Sequence, residues 1–192
     1  MLAKKKEVGY TAEQYLALEE QANYKSEYRQ GKILAMAGGT INHNRITKNT
    51  CFAIDRRVEG KGCESFIGDV RLSINRKNMY TYPDVMVVCG ELQFVEGRND
   101  TIVNPKIVLE VLSKSTGAYD RSDKFHAYWS LESFEEYVLI DQYRVHVEYF
   151  RRQSEKMWEL NVLTDIEDIL SLNSIEIDIP LREIYQNVAW DS

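Results

Sequence analysis

Apolar and polar positions change period several times along the chain, and each change marks an element. Thr11, followed three residues later by Gln14, has the form of a capping box. Tyr15, Leu16 and Leu18 then give Ala12–Glu20 one apolar side, so a helix is expected there. Glu27–Arg29 and Lys32–Met36 flank Gln30-Gly31 and read as a hairpin. After the Gly38-Gly39 break, Ile41–Val58 reads as a long helix, with Ile46 and Ala53 at helical spacing. From Cys63 the pattern turns to strands: Glu64–Ile67, Val70–Ile74 and Asp84–Val88, with polar Asn75–Asn78 as a turn. Pro105 opens Lys106–Leu112, which is apolar on both faces except at Glu110, the pattern of a central strand covered on both sides. Asp120 stands at an N-cap position before a helix over Arg121–Ser130, which packs through Phe125, Tyr128 and Trp129. Glu136–Ile140, Val145–Phe150 and Met157–Leu163 alternate and are rich in aromatics, as consecutive antiparallel strands do. Ile175–Ile179 is a last strand, and Pro180 precedes a short helical turn. This order predicts a mixed α/β domain with one central sheet. It reads as a single domain over 1–192, with a flexible tail at 1–9, a motif-bearing core at 10–150, and C-terminal strands and a short helix at 151–192.

Composition adds bounds. At 192 residues, 44% hydrophobic and 28% charged, the chain has the balance of an ordinary globular protein. Its longest apolar runs, Ile33–Ala37 and Val85–Cys89, fall far short of the roughly 20 residues a membrane helix needs. Lys4, Lys5 and Lys6 are not followed by an apolar stretch, so no secretory signal is read there. Cys51, Cys63 and Cys89 are widely spaced and form no CxxC pair, which argues against a zinc finger and for reduced thiols in the cytoplasm. No GxxxxGK, GxGxxG or GxSxG motif occurs.

The net charge of −6 speaks against a nucleic-acid partner only as a total. Residues 1–60 hold ten basic and seven acidic side chains, residues 61–130 nine of each, and residues 131–192 five basic and fourteen acidic. Charges act over about 8–10 Å at physiological salt. The acidic last third therefore leaves the first two thirds free to meet a polyanion.

Two carboxylates sit where carboxylates are costly. Asp84 stands at the mouth of the apolar strand that follows Pro83, and Glu110 lies inside Ile107–Leu112. A buried ionised carboxylate needs a partner. Two of them at adjacent strand ends suit Mg²⁺, which takes oxygen ligands and keeps several waters. The plainer alternative is that Asp84 caps a turn and Glu110 pairs with a buried Arg or Lys. Asp120, Lys124 and Tyr128 share one helix face at i, i+4 and i+8. Lys124 therefore either orients a catalytic water or makes an i, i+4 ion pair with Asp120, worth a few tenths of a kcal/mol. His43, near a helix start, either touches phosphate or makes a local hydrogen bond.

Pro83-Asp84, the Glu110-Val111-Leu112-Ser113 strand, Asp120-x-x-x-Lys124 and Tyr128, in this order and spacing, resemble the Uma-two family of restriction endonucleases, within the PD-(D/E)XK nuclease superfamily. The Tyr24–Met36 segment, Asn42-His43-Asn44 and Phe134–Asp141 extend the likeness over roughly residues 10–150. The resemblance implies a restriction-endonuclease-like mixed central β-sheet flanked by helices. It also implies Mg²⁺- or Mn²⁺-dependent hydrolysis of phosphodiester bonds, in double-stranded DNA, by a homodimer. Asp84 and Glu110 would hold the metal with the Val111 carbonyl and with Glu27, directly or through water, and His43 would contact nucleic acid. The superfamily's lysine, two residues after the acid, is replaced here by Leu112. Lys124 would then supply the amine from the next helix. If it points elsewhere, the fold is a non-catalytic DNA- or protein-binding module. Tyr143, Tyr149, Phe150 and Trp158 are the expected dimer surface.

Overall fold

The computed structural model describes residues 9–190. The expected tail, with Lys4, Lys5 and Lys6, lies outside the described residues except for Gly9. Helix α1 (Ala12–Glu19) opens with both bonds of the expected capping box between Thr11 and Gln14. Strands β1 (Ser26–Arg29) and β2 (Lys32–Ala35) form the hairpin, turned by Gln30 and Gly31 at positive φ. Helix α2 (Ile41–Val58) has the bounds its spacing predicts. Six strands follow: β3 (Cys63–Ile67), β4 (Arg71–Ile74), β5 (Met79–Thr81), β6 (Val85–Cys89), β7 (Thr101–Ile102) and β8 (Ile107–Leu112). Residues 117–128 form one helical run, α3, in which a π-helical turn, Asp120–Lys124, joins Gly117–Tyr119 to Phe125–Tyr128. Strands β9 (Glu136–Asp141), β10 (Val147–Ser154), β11 (Met157–Leu163), β12 (Ile169–Leu172) and β13 (Ile177–Pro180) and helix α4 (Leu181–Ile184) complete the order.

A mixed sheet of six strands, ordered β11-β10-β9-β8-β6-β3, forms the centre. Only β8 and β9 run parallel in it, and α3 is their crossover. The strands alternate strictly. Val85, Val87, Ile107, Leu109 and Val111 face a core shared with α2, β12, β13 and α4. Met86, Val88, Val108 and Leu112 face the opposite way, onto α3 and a second sheet. Glu110, between Val108 and Leu112, belongs by period to this second face, so it meets α3.

To the expected central sheet the structure adds two others. The short strands β4, β5 and β7 pair with the hairpin as a five-stranded sheet, β2-β1-β5-β4-β7, and β12 pairs with β13. The β1–β5 register, Tyr28 opposite Tyr80, seats both rings against Tyr15 of α1. Asp120 is likewise not an N-cap. The Ser113 hydroxyl accepts from the Thr116 N–H and its carbonyl from the Gly117 N–H, so the helix starts earlier and carries Asp120 inside it, 3% exposed. The aromatic dimer surface is also corrected. Tyr149 is buried, and Phe150 and Trp158 pack around Phe125 within the chain; of the four only Tyr143 is exposed.

Cys63 and Cys89 form a disulfide, against the expectation of free thiols. They are 26 residues apart in sequence but face each other in the β3–β6 register, with Cα atoms 4.0 Å apart. Cross-linking a loop of that length should stabilise the fold by about 3–4 kcal/mol. Urea denaturation with and without dithiothreitol should show that loss on reduction; coincident midpoints would speak against the bridge. Among the described residues no helix is long and apolar enough to cross a membrane.

Candidate active site

The β6–β8 register, Val85 opposite Leu109, continues by one residue to place Asp84 beside Glu110. Asp84 Oδ2 accepts from the backbone N–H of Val111 at 2.8 Å, which locks the carboxylate against the strand that carries Glu110. Glu110, 4% exposed, sits under α3. Its Oε1 lies 2.8 Å from Lys124 Nζ and accepts from the Tyr128 hydroxyl at 2.7 Å. Lys124 Nζ also lies 3.6 Å from Glu27 Oε1 and 3.7 Å from Asp120 Oδ1. Glu27 in turn accepts from the Thr81 hydroxyl across the second sheet. The wide π turn thus carries Asp120 and Lys124 into the site together.

His43 closes the mouth. Its Nε2 is 3.2 Å from Asp84 Oδ2, and both side chains are about one fifth exposed, against 4–12% for the deeper groups. The first turn of α2 is anchored to do this. Thr40 caps the His43 N–H and donates to Gln142 Oε1, while Gln142 Nε2 donates to the Leu112 carbonyl at 2.7 Å. Gln142 ties the start of α2 to the ends of β8 and β9, and its buried side chain positions His43 over Asp84. His43 and Lys124 are each bonded to a carboxylate of the site, Asp84 and Glu110, and not only to a local neighbour.

The electrostatics follow from burial and crowding. Burial lifts the Glu110 pKa far above the ordinary glutamate range, and the Asp84 and Asp120 charges add to it against the opposing pull of Lys124. Burial raises Asp120 as well, partly offset by Lys124. For Lys124, burial works against the ammonium, but Glu110, Glu27 and Asp120 outweigh it and hold its pKa well above the usual lysine value. His43 behaves alike: burial disfavours the imidazolium, and the bond and charge of Asp84 lift it above the usual histidine value.

Four carboxylates thus surround one ammonium and one imidazole. Among the described residues no three His, Cys, Asp or Glu side chains converge as a ready-made metal cage. The donor set nonetheless fits a hydrated divalent cation. Asp84 and Glu110 repel one another, a second cation would relieve that repulsion, and Mg²⁺ needs only one or two carboxylates because it keeps several waters.

Leu112, where the resemblance would place a lysine, is 3% exposed and packs in the apolar layer beneath α3. The Lys124 ammonium, from the next helix, lies on Glu110 instead. Asp84, Glu110, Lys124, Glu27 and His43 therefore come together, as the spacing and the resemblance imply. Sequence reasoning missed the buried position of Asp120 and missed Gln142 altogether. The only signal for Gln142 was its place at the end of a strand parallel to that of Glu110.

A family profile described as "Putative restriction endonuclease", Uma2, matches residues 12–182. The chain belongs to the Uma2 family. It is 39% identical over 153 residues to "Uncharacterized protein sll1609" of Synechocystis sp. (strain ATCC 27184 / PCC 6803 / Kazusa), covering 80% of this chain and 86% of that protein. It is 33% identical over 180 residues to "Uncharacterized protein slr1290" of the same organism, covering 93% and 92%. In fold it is similar to the crystal structure of "a putative nuclease belonging to DUF820" from Anabaena variabilis ATCC 29413, with a TM-score of 0.74 at 19% identity, covering 92% of this chain and 97% of that one. The Uma2 fold and the mixed α/β architecture expected from the sequence are thus shared with a solved structure.

Proposed function

We propose that the chain is a divalent-metal-dependent endonuclease that hydrolyses phosphodiester bonds in DNA. The observation that carries this is the 2.8 Å contact of Lys124 Nζ with Glu110 Oε1, which restores in space the amine that Leu112 removes from the strand. Membership of the Uma2 family supports the same reading. Asp84 and Glu110 would hold Mg²⁺ or Mn²⁺. Such a cation supplies acidity for water and positive charge against the phosphoryl oxygens. Lys124 orients the attacking water and shares the charge that builds on the phosphate. Glu27 and Asp120 act through Lys124, fixing its ammonium between them. His43 holds Asp84 at the mouth, where a phosphate would enter. No covalent intermediate is required. Two copies related by a two-fold axis would set one site on each strand of a duplex, and a sedimentation run showing only monomer would remove that part.

A second reading, a nuclease-like fold kept for binding alone, draws on the same contact. Lys124 and Tyr128 both engage Oε1 of Glu110, as a purely structural ion pair would. Cleavage assays over duplex DNA, single-stranded DNA and RNA, with the parent beside Glu110→Ala, separate the two. Cutting by the parent that the variant loses supports the enzyme. Binding without cutting in either metal supports the module.

A further inference from the structure

A groove between β1 and α3, lined by none of the site's carboxylates, is left unused by the chemistry above. Strand β1 alternates, with Ser26 and Tyr28 buried on one face and Glu27 and Arg29 on the other. Glu27 reaches Lys124, so Arg29, about 7 Å further along the same face, must lie beside α3. It does: its guanidinium rests 3.9 Å above the Tyr119 ring. Beyond it Lys32, Lys77 and His126 line a cavity of about 670 Å³ together with Asp123.

Three features mark this groove as built for an anion. Arg29 Nε is buried with no hydrogen-bond partner. Among the described residues, Arg29, Lys32 and Lys77 have no acidic partner within ion-pair distance, whereas Arg76 and Arg121 each have one and Arg98 has two. The groove also lies next to the site, since the Tyr119 ring that Arg29 covers is within reach of the charges of Glu27 and Lys124. A strand of nucleic acid advances about 3.4 Å per nucleotide along its axis. Arg29 therefore stands about two nucleotides from the Glu27 end of the site.

We infer that this groove binds the phosphodiester backbone of a nucleic-acid strand running out from the carboxylates, with Arg29, Lys32 and Lys77 on successive phosphates. The inference rests on the nuclease reading and gives it a direction along β1 and α3. Asp123 is the one acid among the residues that line the groove.

The test is fluorescence anisotropy in EDTA, so that nothing is cut, with a labelled 20-base-pair DNA duplex and a single-stranded RNA of the same length. The parent is compared with a Lys32→Glu/Lys77→Glu double variant and with a Lys48→Glu/Lys156→Glu control. The control changes the net charge equally at exposed positions outside the groove. The groove variant should lose at least about 10-fold in affinity and lower the slope of log K against log salt by about 2, while the control stays within a few fold of the parent. Loss on the duplex alone assigns the groove to duplex, and loss on RNA alone to a single strand. Equal behaviour of groove variant and control, or a parent that binds neither probe, overturns the inference. Plasmid cleavage sensitive to Glu110→Ala, measured on the same samples, shows whether the nuclease reading falls with it or survives.

Discussion

Replacing Lys124 with methionine should destabilise the protein by about 3–5 kcal/mol, the usual cost of removing one partner from a buried ionic cluster. Lys124 is the ammonium that Glu110, Glu27 and Asp120 share, and it is 5% exposed. Without it three buried carboxylates face one another with no cation between them. For a chain of this size the melting temperature should fall on the order of 10 °C. The loss should shrink as the pH falls. Carboxylates whose folded pKa lies above the unfolded value hold protons more tightly in the folded state, so stability rises as pH drops through the lifted range. Thermal melts in EDTA across pH 5–9 test this. A variant as stable as the parent at every pH would show that Lys124 does not balance the cluster. Cleavage should fall as well, by at least about 100-fold, through loss of charge stabilisation at the phosphate.

Glu110→Gln is expected to part activity from stability. The amide oxygen can still accept from Lys124 Nζ and from the Tyr128 hydroxyl, so the packing under α3 should survive. The charge that would bind a cation is gone, and cleavage should fall by about 1,000-fold, equivalent to about 4 kcal/mol of transition-state stabilisation. Burial raises the pKa of Glu110 in the folded state. Its carboxylate therefore costs stability as pH rises from the ordinary glutamate range through that lifted value, and the glutamine variant should lack this slope. Urea titrations of both proteins in EDTA, beside single-turnover cleavage rates, give the two quantities separately. Cutting by Glu110→Gln at the parental rate would remove Glu110 from the chemistry.

Much of this site was legible because it breaks local rules. A glutamate inside Ile107–Leu112 and an aspartate at the mouth of Val85–Cys89 are conspicuous in apolar strands, and the i, i+4, i+8 spacing of Asp120, Lys124 and Tyr128 set them on one face of a helix. Helix α2 was readable to the residue because its periodicity runs for five turns. What stayed hidden depends on register and on contacts between distant segments. Asp120 looks like an N-cap by residue type, yet Ser113 takes the capping role and buries it. His43 meets Asp84 across a fold in which Thr40 and Gln142, 102 residues apart, are hydrogen bonded. Cys63 and Cys89 look unrelated until β3 and β6 pair. The second sheet was missed for the same reason: β5 and β7 span three and two residues, too few for an alternation to show.

The groove along β1 sharpens the reading of net charge. Its basic side chains all come from the first 130 residues, while the acidic excess lies in the last third of the chain. A nucleic acid is thus expected to meet the face between the second sheet and α3, with modest and salt-sensitive affinity.

The account stands or falls on whether Asp84 and Glu110 work together with a divalent cation. The direct measurement is the rate of supercoiled plasmid cleavage against Mg²⁺ and Mn²⁺ concentration, for the parent, Asp84→Asn and Glu110→Gln. The parent should cut in either metal and stop in EDTA, and both variants should be silent while melting as folded proteins. Undiminished cutting in EDTA, parental rates in Asp84→Asn, or a folded parent that leaves every plasmid intact in both metals would contradict it.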